Sequence, residues 1–250
     1  MGADQGAWTA LAPSAVPFAP DWHVPEAVDA EAMARIKAEF AAAATRAARI
    51  GFDLVELHCA HGYLLHEFLS PIANRRTDGY GGSLANRLRF PLETFEAVRA
   101  VWPADKPLGV RVSATDWVEG GWTPEETVVL ARELGGLGCD FVDVSSGGMD
   151  PGQQIPLGPG YQVPLAAKLR AEAGIATMAV GMITEPQQAE DIVASGRADM
   201  VALARGMMYD PRWAWHAAEA LGADTAYAPG YVRCQPSRRP EAFPNRRAAE

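Results

Sequence analysis

Residues 29–50, DAEAMARIKAEFAAAATRAARI, place Met33, Ile36, Phe40 and Ala43/Ala44 at helical spacing with polar residues between them. Apolar positions three and four apart stack on one helix face, so a long amphipathic helix is predicted here, closed by Gly51. The next run, FDLVELH, is apolar, rich in strand formers and too short for a helix, and it reads as a strand. The couplet then repeats. The pattern predicts a helix over about Leu84–Val101, a strand over Pro107–Ala114, and a helix from Thr123 to Leu137 with Gly138 after it. Thr123 followed three residues on by Glu126 is a capping box, in which each side chain satisfies the other residue's backbone N–H. A strand at Cys139–Ser146, a helix at 161–173, a strand at 175–180, a helix at 185–195, a strand at Ala198–Ala204 and a last helix over about Pro211–Leu221 complete the series. Residues 1–28 and the tail 226–250 are Pro-rich without a sustained period. They read as irregular, leaving 29–225 as one domain.

Helices alternating with near-continuous apolar strands mean a parallel sheet covered by helices. Two architectures share that pattern, the open doubly wound sheet and the closed (β/α)8 TIM barrel. Polar residues decide between them. His58, His61, Ser113, Asp116, Ser145, Ser146, Gly181 and Arg205 all stand at or just after strand C-termini. In a TIM barrel that rim is the active-site face, whereas an open sheet uses only two or three such loops. With five strands counted, the expected fold is α/β, a partial TIM barrel of about five βα units.

Composition narrows the function classes. Net charge is −9 and pI about 5.1, and the only basic clusters are Arg75–Arg76 and Arg238, Arg239, Arg246 and Arg247 in the tail. That is no footprint for a nucleic acid, which needs a broad positive surface. No apolar run reaches the ~18 residues of a membrane helix, and the first residues lack a signal peptide's basic start and apolar stretch, so a cytoplasmic protein is expected. Cys59, Cys139 and Cys234 are odd in number and widely spaced, which suits a reducing compartment and gives no zinc spacing.

Candidate chemistry concentrates in His58-Cys59-Ala60-His61-Gly62-Tyr63, directly after the first strand. Two imidazoles there offer hydrogen bonds to a ligand oxygen, and Tyr63 offers a phenolic proton. Two rival readings share these residues: a zinc hydrolase site of His58, His61, His66 and Glu67, without the HExxH order, and plain structural histidines. The loop SPIANRRTDGYGGSLANR reads as a structural brace, with Ser83 as N-cap of the following helix. Arg111 interrupts an apolar strand. A guanidinium there needs a carboxylate from a neighbouring strand, or an anion or electron-rich ring. Gly181 and Met182 follow one strand, Ala204 and Arg205 the next. In a barrel, the last two strand ends form a phosphate site, where glycine admits the backbone and arginine forks the anion.

The runs HCAHGYLLHEFLSPIANRRTDGYGGSLANR, GVRVSATD, VGMI and ADMVALARGMMYDP, with LAPSAVPF ahead of them, resemble the Old Yellow Enzyme family of NADH:flavin oxidoreductases, over about residues 8–233. The resemblance implies a TIM barrel that binds FMN, takes reducing equivalents from NAD(P)H and reduces the activated C=C bond of an α,β-unsaturated carbonyl or nitro compound. It implies that His58, Cys59, Ala60 and His61 bind substrate, with the two histidines on its activating oxygen and Tyr63 as proton donor. Arg111 would stand beside the flavin ring, and Gly181, Met182, Ala204 and Arg205 around the FMN phosphate. Tyr231 and Arg233, in YVR, resemble a C-terminal Tyr-x-Arg that some members insert into a neighbouring subunit, consistent with a homo-oligomer. The aromatic residue that usually follows is replaced by Cys234-Gln235. Members carry about three more βα units before LAPSAVPF, so an N-terminally truncated barrel is expected. The competing expectation is an incomplete, non-catalytic piece that folds only with a partner or as an oligomer.

Overall fold

The computed structural model describes Gly6, residues 8–238 and Glu241; Arg239, Arg246 and Arg247 of the basic tail lie outside the described residues. The segment expected to be irregular before residue 29 carries two short strands, β1 (Leu11–Ala12) and β2 (Glu26–Ala27), paired in parallel. Two residues are too few to show a period. The ladder is held instead by tertiary contacts: Val28 N–H donates to Ala12 O at 2.9 Å, and Arg76 donates to the carbonyls of Pro13 and Val28. The loop read as a brace therefore clamps this segment.

Helix α1 (Ala30–Arg49) begins where Asp29 accepts from Ala32 N–H at 2.7 Å and buries Met33, Ile36 and Ala44. Beyond it Gly51 has φ +88, the left-handed conformation that ends helices at little cost in glycine. Then follow β3 (Val55–Cys59), α2 (Leu64–Leu69), α3 (Leu84–Arg99), β4 (Leu108–Ser113), α4 (Pro124–Gly136) and β5 (Phe141–Ser145). Next come α5 (Val163–Ala173), β6 (Ala176–Val180), α6 (Pro186–Ala194), β7 (Met200–Ala202), α7 (Arg205–Tyr209) and α8 (Trp213–Ala220). The capping box at Thr123 and Glu126 is formed, and Ser83 caps α3. The tail, expected to be irregular, forms 3-10 turns at Pro229–Cys234 and Pro236–Arg238. No helix among the described residues is long and apolar enough to cross a membrane.

The other five strands, of three to six residues, lie in the order β3-β4-β5-β6-β7, all parallel. A doubly wound sheet reverses its order at a switch point. Here each strand is added beside the last, so right-handed crossovers put every connecting helix on one face. That is the winding of a TIM barrel, present as an arc with β3 and β7 at its edges. Side chains alternate between the faces along each strand. Leu57, Cys59 and Val110 turn outward and meet Leu65, Pro91, Phe95, Leu130 and Leu134 of the helices. The inner face runs in rows across the strands: His58, Arg111, Asp143 and Met178 are in register, and one step below Glu56, Gly109, Phe141 and Ala176. Gly109 has no side chain because the Phe141 ring lies where its Cβ would be.

Candidate active site

Because the strands are parallel, all their C-terminal ends share one rim, and the candidate residues are distributed along it. His58 is the penultimate residue of β3 and is exposed on the inner face. After Ala60 the chain turns sharply: His61 has φ +59 and Gly62 φ +74. A non-glycine residue in this left-handed region is strained, so the surroundings must hold it. They do so with specific bonds. His61 N–H donates to Ser113 Oγ at 3.0 Å, and Gly62 N–H donates to His66 Nδ1 at 3.0 Å. Gly62 also lies against the carbonyl of Gly148, so close that a Cβ on either glycine would collide with backbone.

The turn brings the His58 and His61 rings to 5.2 Å between centroids, with the Tyr63 ring 5.4 Å from His58 and edge-on to it. Tyr63 is 65% exposed, so its hydroxyl faces solvent and any ligand that lies there. Cys59 and Ala60 are not part of this group. Cys59 points into the helix-side core and Ala60 is fully buried, so neither is exposed on the rim. Burial holds the Cys59 thiol far above its ordinary range.

Electrostatics keep both rim histidines neutral. Burial first, then the Arg111 charge, lowers His58 below its usual value, and the same causes push His61 down to about 4. Of the two partners open to Arg111, the structure shows the carboxylate: its Nε lies 3.1 Å from Asp143 Oδ2 on the adjacent strand. Burial outweighs that positive charge, and the Asp143 carboxyl stays above its ordinary range.

His66 corrects the zinc reading. It is fully buried on α2, its Nδ1 accepting from Gly62 and its Nε2 3.0 Å from Asp116 Oδ1. Asp116 Oδ2 in turn accepts from Ser70 Oγ at 2.6 Å and from Trp122 N–H at 2.7 Å. With His66 facing the core, no group of three metal-ligating side chains forms among the described residues. Its work is to hold the turn that aims His61. The spacing of His66 gave no sign of this, because its direction depends on how α2 packs.

Gln162 was missed by sequence reasoning. It is buried at the start of α5 and makes no capping bond; its Nε2 donates to Val180 O at 2.8 Å, and its Oε1 accepts from Ser146 Oγ at 2.6 Å. It packs against Gly181, whose φ is +114 and whose Cβ, if present, would lie 2.6 Å from the Gln162 amide nitrogen. Met182 follows with φ +51, a second strained non-glycine turn at a strand end. On the adjacent strand, Ala204 precedes α7 and Arg205 begins it, both exposed. The two halves of the rim are three to four strand spacings apart, about 14–19 Å along a flat sheet and less along a curved one. Tyr231 packs on its own chain, 5.5 Å from the Trp215 ring and 5.0 Å from the Arg212 guanidinium, and Arg233 is exposed in the same 3-10 turn.

Residues 9–224 match the family described as NADH:flavin oxidoreductase / NADH oxidase. An NADPH dehydrogenase of Geobacillus sp. is 46% identical over 223 residues, covering 89% of this chain and 65% of that protein. One of Listeria innocua is 45% identical over 219 residues, covering 88% of this chain and 64% of that protein. The chain thus spans just under two thirds of these relatives' length. Among solved structures, morphinone reductase in complex with tetrahydroNAD superposes with a TM-score of 0.71 at 26% identity, covering 89% of this chain and 62% of that one. A 2-naphthoyl-CoA reductase in complex with 2-naphthoyl-CoA gives 0.75 at 29% identity, covering 81% of this chain and 32% of that one. With the matched segment running through every strand of the parallel sheet and both halves of its rim, this chain belongs to the NADH:flavin oxidoreductase / NADH oxidase family.

Proposed function

We propose that this chain carries the flavin and substrate rim of an FMN-dependent NAD(P)H oxidoreductase that reduces activated C=C bonds. One observation carries the reading: the His58/His61 pair and the Gly181/Arg205 pair stand at the C-terminal ends of strands in a single parallel sheet. The names of the relatives, NADPH dehydrogenase and morphinone reductase, support the chemistry and the reductant.

The residues present fit FMN. Gly181 and Met182 turn the backbone at positive φ, Ala204 leaves the approach unobstructed, and the exposed Arg205 supplies a fork for a phosphate. Arg111, between His58 and Asp143 in register, brings positive charge to the inner face where a ring would lie. Bound there, FMN supplies hydride transfer from NAD(P)H to the β-carbon of an α,β-unsaturated carbonyl or nitro compound. His58 and His61 hold the activating oxygen. Being neutral, each ring has one N–H to donate, and that bond strengthens as the oxygen gains negative charge, which favours the transition state over the ground state. Tyr63 Oη would deliver the proton to the α-carbon.

Titration with FMN, followed by visible absorbance and flavin fluorescence, tests this. The expected result is a yellow complex bleached by NADPH without oxygen, and binding about tenfold or more weaker in Arg205→Ala. A chain that neither carries nor takes up FMN overturns the reading. The unpaired edges at β3 and β7, with Glu56 and His58 exposed on β3 itself, favour a second reading in which the chain binds flavin only when associated. Under it, FMN uptake and thermal midpoint rise with protein concentration.

A further inference from the structure

We propose that Ser145 is a positioning residue that decides which nitrogen of His61 carries the proton: its hydroxyl donates to Nε2 and keeps the ring's N–H at Nδ1, the atom left to hold a ligand oxygen. The consequence for ligand binding rests on the oxygen-binding reading above; the tautomer itself does not.

Ser145 ends β5 on the inner face, and its single hydroxyl proton has two acceptors near it. His61 Nε2 is at 2.7 Å and Gln162 Oε1 at 3.4 Å. An O–H donor prefers about 2.7 Å, and the longer contact lies outside its normal range. Gln162 Oε1 is also served already, by the Ser146 hydroxyl at 2.6 Å. The Gln162 amide cannot be reversed, because its nitrogen donates to Val180 O at 2.8 Å and a carbonyl only accepts. If Ser145 accepted from His61 instead, its own proton would be left with the poor 3.4 Å contact.

The His61 backbone is fixed while this choice is made. Its N–H is bonded to Ser113, and Gly148 packs so tightly that a Cβ there would lie 2.5 Å from His61 Cα. The titratable and charged groups around His61 are His58 on β3, Arg111 on β4 and His66 on α2, and all three oppose a second proton on the ring. The neutral ring is therefore the working form, and its tautomer decides what it can do. With the proton at Nδ1, the ring donates to an oxygen. With the proton at Nε2, it presents a lone pair and repels one.

Long-range 1H–15N NMR reads the tautomer of each neutral imidazole, and the chain has five histidines to assign. The expected wild-type result is His61 protonated at Nδ1. Ser145→Ala should move the tautomer ratio about fivefold to tenfold toward Nε2–H, the form a free imidazole side chain favours. Ser145→Thr keeps the hydroxyl and should keep the wild-type ratio. His61 protonated at Nε2 in the wild type overturns the proposal, as does an unchanged ratio in Ser145→Ala. If Ser145→Ala does not fold, the wild-type and Ser145→Thr spectra decide. The spectra need no flavin. A chain that shows the Nδ1–H form yet takes up no FMN would lose the oxygen-binding reading and retain the Ser145 assignment.

Discussion

On the helix-covered face of the sheet, Leu57, Val110, Val142 and Ala179 are all buried and apolar. One residue away along the same strands, the inner face carries Glu56, His58, Arg111, Asp143 and Ser145. The outer face is closed by helices of this chain and carries no charged side chain in these rows, its one polar residue there being the buried Thr177. The inner face is only partly covered, and its charges are paired or perturbed: Arg111 against Asp143, and Glu56 pushed up to about 7 by burial and then by Asp143, against the opposing pull of Arg111. Identical backbone thus does two jobs. Burying the outer side chains stabilises the chain, while the inner ones keep polar groups at the strand ends, where a ligand can meet them.

The largest test of this contrast is Phe95→Ala. Phe95 is fully buried against the outer face, and its truncation should cost about 3–5 kcal/mol in urea unfolding through lost burial and the cavity left behind. A loss near that of a surface substitution would mean that the helices do not carry the stability. Next comes Gly62→Ala at the rim. Its φ of +74 and the Gly148 carbonyl together disfavour a Cβ, so about 2 kcal/mol or more should be lost, against about 1 kcal/mol for Gly51→Ala, where φ is +88 in open space. Equal losses at the two glycines would show that the rim is not pinned.

The smallest effect is a pH slope. Burial pushes Glu67 from 4.5 up to about 7. Between those values the folded chain keeps a proton that the unfolded chain has released, so stability falls as pH rises through that window. His61, lowered to about 4, acts oppositely: the unfolded chain binds the proton first, and stability falls as pH drops from 6.5 toward 4. Glu67→Gln should remove the first slope and raise stability at pH 8 relative to pH 4.5 by about 1 kcal/mol, because solvent around this half-buried carboxyl screens much of the ~3 kcal/mol that the full shift would carry, read from urea midpoints. Glu56 is the poorer probe, because it is exposed on the open face and water screens much of its shift. A Glu67→Gln midpoint that follows the wild type at every pH would refute the desolvation.

Legibility followed element length. α1, α4 and the strands β3 to β6 were readable because each spans enough residues to show a period or an apolar run, and the three-residue β7 because it sits inside the longer run Ala198–Ala204. α2 and α7, of six and five residues, and the two-residue pair β1–β2 are too short for that. At the site, His58, His61, Tyr63, Gly181 and Arg205 drew attention through their residue type at strand ends. The partner of Arg111 stayed open because Asp143 becomes its neighbour only through the β4–β5 register. The zinc reading that included His66 stayed open as a rival because composition says nothing of direction, and Gln162 escaped because a buried amide leaves no mark on a local pattern.

Alternation of apolar and polar positions fixed the helices, the strands and the parallel class, since those follow from neighbours within one or two turns of chain. The tertiary structure alone decided the strand order, the inner-face rows, the clamp of His66 and Asp116 on the His61 turn, and the meeting of Ser145 with His61. These join residues dozens of positions apart, and the free energy that brings them together comes from packing the whole sheet against its helices, which no local segment contains.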